Sequence, residues 1–193
     1  MLPDAGSECR GLVRKFSQAG ASLSGPESSY AAAMDAACRF LSFRPRSEAE
    51  VRRRLTRRFP PELVERVIEA LRNKNYLDDD EFARRWRLHR ERFHPLGRQA
   101  LQRELSRFGV TREVIDQALV GMVEEENAYR AGLKLAVKLM SRDCTRESLR
   151  RKLYPYLQRR GFAYSVAKEA VNRLWLELAP HPLYGEINSS GRC

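Results

Sequence analysis

Three stretches of this sequence concentrate arginine, the side chain whose planar fork of donors suits carboxylates and phosphates alike. The first runs from residue 44 to 58 and carries Arg44, Arg46, Arg52, Arg53, Arg54, Arg57 and Arg58 against Glu48 and Glu50. The second, 82 to 112, sets Arg84, Arg85, Arg87, Arg90, Arg92, Arg98, Arg103, Arg107 and Arg112 against Glu91 and Glu104. The third, 142 to 168, sets Arg142, Arg146, Arg150, Arg151, Lys152, Arg159, Arg160 and Lys168 against Asp143 and Glu147. These windows together carry +18 against a net charge of +11 for the whole chain, so the rest of the chain is net negative and the charge is segregated. Such a surface selects a polyanion or an acidic protein face. A solvated helix face mixes both signs in i,i+4 pairs, as Glu50 with Arg54 could, but these windows hold more arginine than such pairs can neutralise. The candidates for partner or DNA contact are Arg44, Arg46, Arg53, Arg57, Arg84, Arg85, Arg87, Arg98, Arg103, Arg150, Arg151, Arg159 and Arg160.

Other reactive residue types are not arranged for chemistry. Asp78, Asp79, Asp80 and Glu81 could share a hard cation, yet successive helical residues point about 100° apart and cannot all converge. An N-cap followed by a first turn of acids accounts for the same residues. His89 falls on the stripe Phe82, Trp86, Phe93, where a packed histidine is expected, and His94 precedes Pro95 in a turn. Cys9, Cys38, Cys144 and Cys193 have no paired short spacing, which excludes a zinc framework or redox dithiol and favours a reducing compartment. With no catalytic triad, metalloprotease motif or phosphate-cradling glycine loop, the chain reads as a non-enzyme without metal or cofactor.

Apolar residues recur at helical spacing from Tyr30 to Leu178, so the expected fold class is all-α. Ser47, Asp78, Thr111 and Thr145 stand as N-caps before acidic first turns. Leading helices are expected near 30–43, 79–93 and 124–140. Behind each comes a repeated helix, turn and helix. Val51-x3-Leu55, Leu101-x3-Leu105 and Leu153-x3-Leu157 begin the three copies, spaced 50 and 52 residues apart. In each, an arginine follows the second apolar residue by two positions and an apolar anchor follows it by nine: Val64, Val114 and Val166. Gly109 and Gly161 fall where a helix end needs a left-handed residue, and Pro60-Pro61 takes that place in the first copy.

This organisation predicts three tandem three-helix repeats at 29–76, 77–123 and 124–178, stacked into an elongated, curved, solenoid-like module. A nine-helix bundle with accidental self-similarity is the alternative. Residues 1–28 read as a flexible tail, since Arg10, Arg14 and Lys15 lack the apolar stripe of a transit helix, and 179–193 as a disordered C-terminus. No run approaches a membrane span, and a cytoplasmic monomer is expected.

The run Leu41-Ser42-Phe43-Arg44-Pro45-Arg46-Ser47-Glu48-Ala49-Glu50-Val51-Arg52-Arg53-Arg54-Leu55 resembles the opening signature of the RecX family, regulators of the RecA recombinase. Leu71-x4-Tyr76-Leu77-Asp78-Asp79-Asp80-Glu81-Phe82-Ala83 is similar to a second family segment, and Arg159-Arg160-Gly161-Phe162 to a late one. The resemblance covers about residues 30 to 178. It implies a crescent of three three-helix repeats that binds in the groove of the RecA–DNA filament. It further implies a role in DNA repair, recombination and the SOS response, modulating and mostly inhibiting ATPase and strand-exchange activity, with weak non-specific contact to DNA phosphates.

Pro155 departs from the pattern and is expected to kink or split the middle helix of the third repeat, on a face away from Leu149, Leu153 and Leu157. The alternative function is direct, sequence-independent DNA binding through helix-turn-helix-like units. Base reading calls for Asn or Gln at a recognition-helix start, whereas these helices open Glu62-Leu63-Val64 and Arg112-Glu113-Val114.

Overall fold

The structure is a computed structural model that describes residues 26–141 and 145–179. The expected tails, with Cys9, Cys193, Arg10, Arg14 and Lys15, lie outside the described residues, apart from 26–28 and Ala179, as do Arg142, Asp143 and Cys144. The described residues form helices and turns, without a strand. In chain order the helices are α1 Pro26–Leu41, α2 Glu48–Leu55, α3 Pro61–Asn73, α4 Asp79–Phe93, α5 Arg98–Phe108, α6 Arg112–Ala118, α7 Glu124–Met140, α8 Arg146–Arg159 and α9 Tyr164–Leu178. The chain is all-α, with three-helix repeats in tandem.

Local chemistry starts and stops these helices. Ser47 caps α2 in a complete capping box: its hydroxyl accepts from the Glu50 amide, and Glu50 accepts from the Ser47 amide. Asp78 accepts from the Glu81 amide at 2.9 Å, and Thr145 from Ser148. Thr111 occupies the N-cap of α6 with extended backbone, but its side chain makes no capping bond. Gly109 and Gly161 close α5 and α8 at φ 83° and 82°. The next amides, Val110 and Phe162, bond back to Leu105 and Leu157, the double return of a Schellman stop. Asn75 at φ 56° ends α3 in the same way, with Tyr76 N–H reaching the Leu71 carbonyl.

Pro155 does not split α8, which is one helix from Arg146 to Arg159. Its ring is exposed, so the Arg151 carbonyl deprived of its partner faces water, while Leu149, Leu153 and Leu157 are fully buried on the other side.

Two compact units divide the chain. One comprises the described residues up to Leu88 together with Gln102–Val120; the other has His89–Leu101 and the residues from Gly121 onward. In the first, Met34, Cys38, Val51, Leu55, Val64, Ile68 and Leu71 form one apolar cluster. Phe82, Trp86 and Phe108 make a second knot there, with Phe108 edge-on to both neighbours and the Trp86 indole N–H donating to Glu104 at 2.8 Å. In the other unit, Leu149, Leu153 and Leu157 pack with Ala128, Ala136, Ala170, Val171 and Leu174. Small residues on α7 permit this: a Cβ on Gly132 would stand 2.9 Å from Leu174 Cδ1.

The repeat register needs one correction. Val64 is buried as expected, but in the second copy the buried positions are Ile115 and, just past α6, Leu119, and at α9 they are Ala167, Ala170, Val171 and Leu174. Val114 and Val166 are half-buried. The anchor therefore follows the second leucine by nine residues in the first copy and by ten in the other two. The glycine stops at Gly109 and Gly161 account for the extra residue, because the Pro60-Pro61 junction turns the chain without one. The stripe on α4 also ends early: Phe82 is buried and Trp86 half-buried, whereas His89 is exposed, 5.0 Å from an exposed Phe93 ring.

Candidate functional site

The arginines singled out above separate by what already holds them. Arg44 and Arg46 both reach Glu50, at 2.6 and 3.3 Å. Arg44 also lies 5.7 Å from the Phe108 ring centroid, and Arg46 sits 4.1 Å over the Phe40 ring with its side chain only 16% exposed. The pairing of Glu50 with Arg54 does not occur. Glu50 turns back toward the chain before α2, where it is part of the capping box, and the Arg54 guanidinium instead lies 5.9 Å from Phe40. Arg84 and Arg85 share Glu81, which their hydrogen bonds hold below its ordinary pKa.

Arg87 is not free in solvent. It is half-buried and donates to the Val120 carbonyl at 2.7 Å, because α4 packs there against the end of the α6 segment. Arg98 is half-buried, and its amide is capped by Glu124 at 2.9 Å. Arg160 donates to the Pro95 carbonyl at 3.1 Å and lies over Tyr156. Arg150 donates to the Tyr154 hydroxyl at 3.1 Å.

Arg53 and Arg57 are different. Both are exposed, Arg53 on the outer face of α2 opposite the buried Val51 and Leu55 and Arg57 in the turn that follows the helix, and they carry no ion pair among the described residues. Arg54 and Arg58 flank them and are exposed as well. Four guanidinium groups thus project from the end of α2 and the turn after it. Arg103, on α5, is exposed and likewise has no ion pair among the described residues. In the other unit Arg151 and Arg159 are exposed, and Arg146, Glu147, Arg150 and Arg151 line a shallow open depression at the start of α8.

A structural ion-pair network escaped the sequence reading. Glu48 accepts from Arg52 at 2.8 Å and Arg72 at 2.6 Å, and Arg52 continues to Glu65 at 2.7 Å. Burial pushes the Glu48 carboxyl up, but the two guanidinium partners outweigh it and hold it below the usual range. Asp79, expected only to favour its own helix start, also accepts from the Glu48 amide at 2.9 Å, and so ties the start of α4 to the start of α2. Burial raises its pKa. Glu48 to Arg52 has the i,i+4 spacing that could have been read; Arg72 lies on another helix and could not.

The exposed guanidinium groups offer donors of the geometry that carboxylates and phosphates accept. Among the described residues there is no group of three or more His, Cys, Asp and Glu able to hold a metal ion. Nor is any helix there long and apolar enough to cross a membrane.

Known proteins match this chain along most of its described length. The family model for the first three-helix domain of RecX matches residues 33–71, and that for the second matches 78–119. The regulatory protein RecX of Chlorobium limicola is 35% identical over 140 residues, spanning 72% of this chain and 87% of that protein. That of Bacillus velezensis is 32% identical over 73% of this chain and 54% of its own, so the match spans about half of that longer relative. The crystal structure of RecX from Lactobacillus salivarius shares the fold at a TM-score of 0.68 and 21% identity, covering 78% of this chain and 99% of that one. With its signature residues serving as caps, stops and ion pairs of three-helix repeats, the chain belongs to the RecX family of regulatory proteins.

Proposed function

We propose that this protein is a regulator of the RecA recombinase that binds in the groove of the RecA–DNA filament and inhibits its ATPase, strand-exchange and recombination activities. In this reading it acts as a monomer in the cytoplasm, through repeats bounded at 29–76, 77–123 and 124–178. Family membership supports the regulatory role. The observation that carries the contact surface is the end of α2 and the turn after it, where Arg53 and Arg57 project without an ion pair among the described residues while Glu48, Glu50 and Glu81 take up neighbouring arginines. An acidic protein groove flanked by DNA phosphates meets that charge with carboxylates and phosphates together. A filament offers the same groove at every protomer, so repeats that each bind weakly gain avidity when joined.

The test is co-sedimentation with preformed RecA–DNA filaments, alongside RecA alone and DNA alone. Tighter binding to filaments than to either component, together with slower strand exchange, is the expected result. Equal binding to naked DNA would replace this reading with a general DNA-binding role.

A further inference from the structure

The third repeat carries an aromatic pair of which one ring packs on the leucine core and the other is left at the surface. Tyr154 on α8 and Tyr164 at the start of α9 stand with ring centroids 5.5 Å apart and planes tilted by 54°. Tyr164 is 56% exposed, and Tyr154 is half-buried. Arg150 lies 5.7 Å from the Tyr154 centroid and donates to its hydroxyl. Arg146, Arg150 and Tyr154 follow one another at i,i+4, a row about 12 Å long at helical rise, running from the arginine-lined depression to the exposed ring. The corresponding residues in the other repeats are Arg52 and Pro61, and Gln102 and Arg112, so no aromatic pair recurs there. Tyr154 is held against the core, so the ring free to receive a partner is that of Tyr164.

We propose that this row is a binding site for single-stranded nucleic acid, with an unpaired base stacked on Tyr164 and the adjoining phosphates held by Arg146, Arg150 and Arg151. Charge decides the class of occupant: three arginines against Glu147 exclude an acid-poor apolar peptide and favour a polyanion. The aromatic face then selects a polyanion with flat, unstacked rings over a duplex, whose bases are occupied with one another. Tyr154 holds Arg150 through its hydroxyl and braces the outer ring at its edge. The site belongs to a different compact unit from the α2 arginines and needs no recombinase.

Fluorescence anisotropy tests it with the full-length protein and no RecA. The probes are an oligo-dT strand of about 15 nucleotides, an abasic strand of the same length and phosphate count, and a duplex. The oligo-dT strand is expected to bind at least about fivefold more tightly than the abasic one, the lower end of what one base stack contributes. Tyr164→Ala should abolish that difference and leave abasic binding unchanged, whereas Tyr164→Phe should keep it. Arg150→Gln with Arg151→Gln should weaken both strands alike. Equal binding of abasic and oligo-dT strands, a preference that survives Tyr164→Ala, or tighter binding to duplex would each overturn the assignment. Helical circular dichroism of the variants, whose altered side chains lie at the surface, separates loss of the site from loss of fold.

Discussion

Gly161 lies against Ala100 so closely that a Cβ on the glycine would stand 2.5 Å from both the Cβ and the backbone nitrogen of Ala100. A hydrogen bond from Gly97 N–H to the Arg160 carbonyl, 3.0 Å, closes the same contact. The first unit repeats it. Gly109 faces Ala49, where a Cβ would meet the alanine methyl at 2.4 Å, and the Ser47 hydroxyl donates to the Phe108 carbonyl at 2.6 Å. In both places a short helix begins on the glycine stop of the corresponding helix in the following repeat. The glycines thus serve twice, once for backbone conformation and once for clearance.

Alanine substitution separates those two roles. Gly161→Ala and Gly109→Ala pay for a left-handed alanine and for a collision, together about 2 to 5 kcal/mol. Gly121 also has a positive φ, 73°, but nothing lies within 4 Å of a Cβ there, so Gly121→Ala should cost only about 1 to 2 kcal/mol. Urea unfolding of the three variants measures this directly. Equal losses at Gly121 and Gly161 would mean that the Ala100 contact relaxes freely.

The arginines of the first signature should divide by function. Arg53→Glu with Arg57→Glu should leave the melting temperature nearly unchanged and weaken filament binding by about tenfold or more. Arg46→Ala should do the reverse. Its guanidinium covers Phe40 and pairs with Glu50 in a half-buried setting, so about 1 to 2 kcal/mol of stability is at stake. Melting curves and filament co-sedimentation on the same samples would expose an error if both variants lost the same property.

Much of this fold was legible because the signals were local. Capping residues, left-handed glycines and the buried Leu-x3-Leu pairs act over one or two turns, so spacing alone reveals them. The candidate surface was half legible. Charge composition identified the arginine windows, but which guanidinium groups were already engaged depended on partners distant in sequence, such as Val120 for Arg87 and Pro95 for Arg160. The register slip at α6 was hidden for a related reason. Val114 and Ile115 are both apolar, and only the turn at Gly109 decides which faces inward.

Acid should destabilise the first unit through its paired glutamates. Glu48, Glu65 and Glu81 titrate below their ordinary value of 4.5 because arginines hold the charged form. Their contribution is whole above that value and is lost as pH falls through the lower folded values. Asp79 has the opposite sign. Its pKa is raised above 3.8, so protonation is easier in the fold and the folded state gains slightly as pH falls. Three depressed groups against one raised group give stability that declines below about pH 4.5. Glu48→Gln should flatten that decline in urea titrations between about pH 6 and pH 3, and an unchanged slope would remove Glu48 from the account.

Pro155→Ala should stabilise the protein. The substitution restores an N–H that can reach the Arg151 carbonyl and removes a ring from an exposed helix interior, where proline is about 3 kcal/mol worse than alanine. Proline also restricts the unfolded chain, which returns about 0.4 to 1 kcal/mol of that difference, and α8 already accommodates the ring without splitting. A net gain of about 1 to 2 kcal/mol is expected, read as a higher urea midpoint at constant slope.

Removing the third repeat should weaken the second, not merely shorten the protein. In a chain ending at Val123, the start of α5 would lose the Gly97 bond to Arg160, the fit of Ala100 against Gly161 and the Glu124 cap on the Arg98 amide. Leu101, now fully buried, belongs to the compact unit that the truncation dismantles. Uncovering one core leucine and an uncapped helix start costs about 2 to 4 kcal/mol, a large part of what a small helical domain has. Hydrogen exchange should therefore show α5 losing protection at residues 98–101 while α1 to α3, with their own closed cluster, stay protected. Full protection of 98–101 in the shortened chain would show that the first two repeats complete their core without the third.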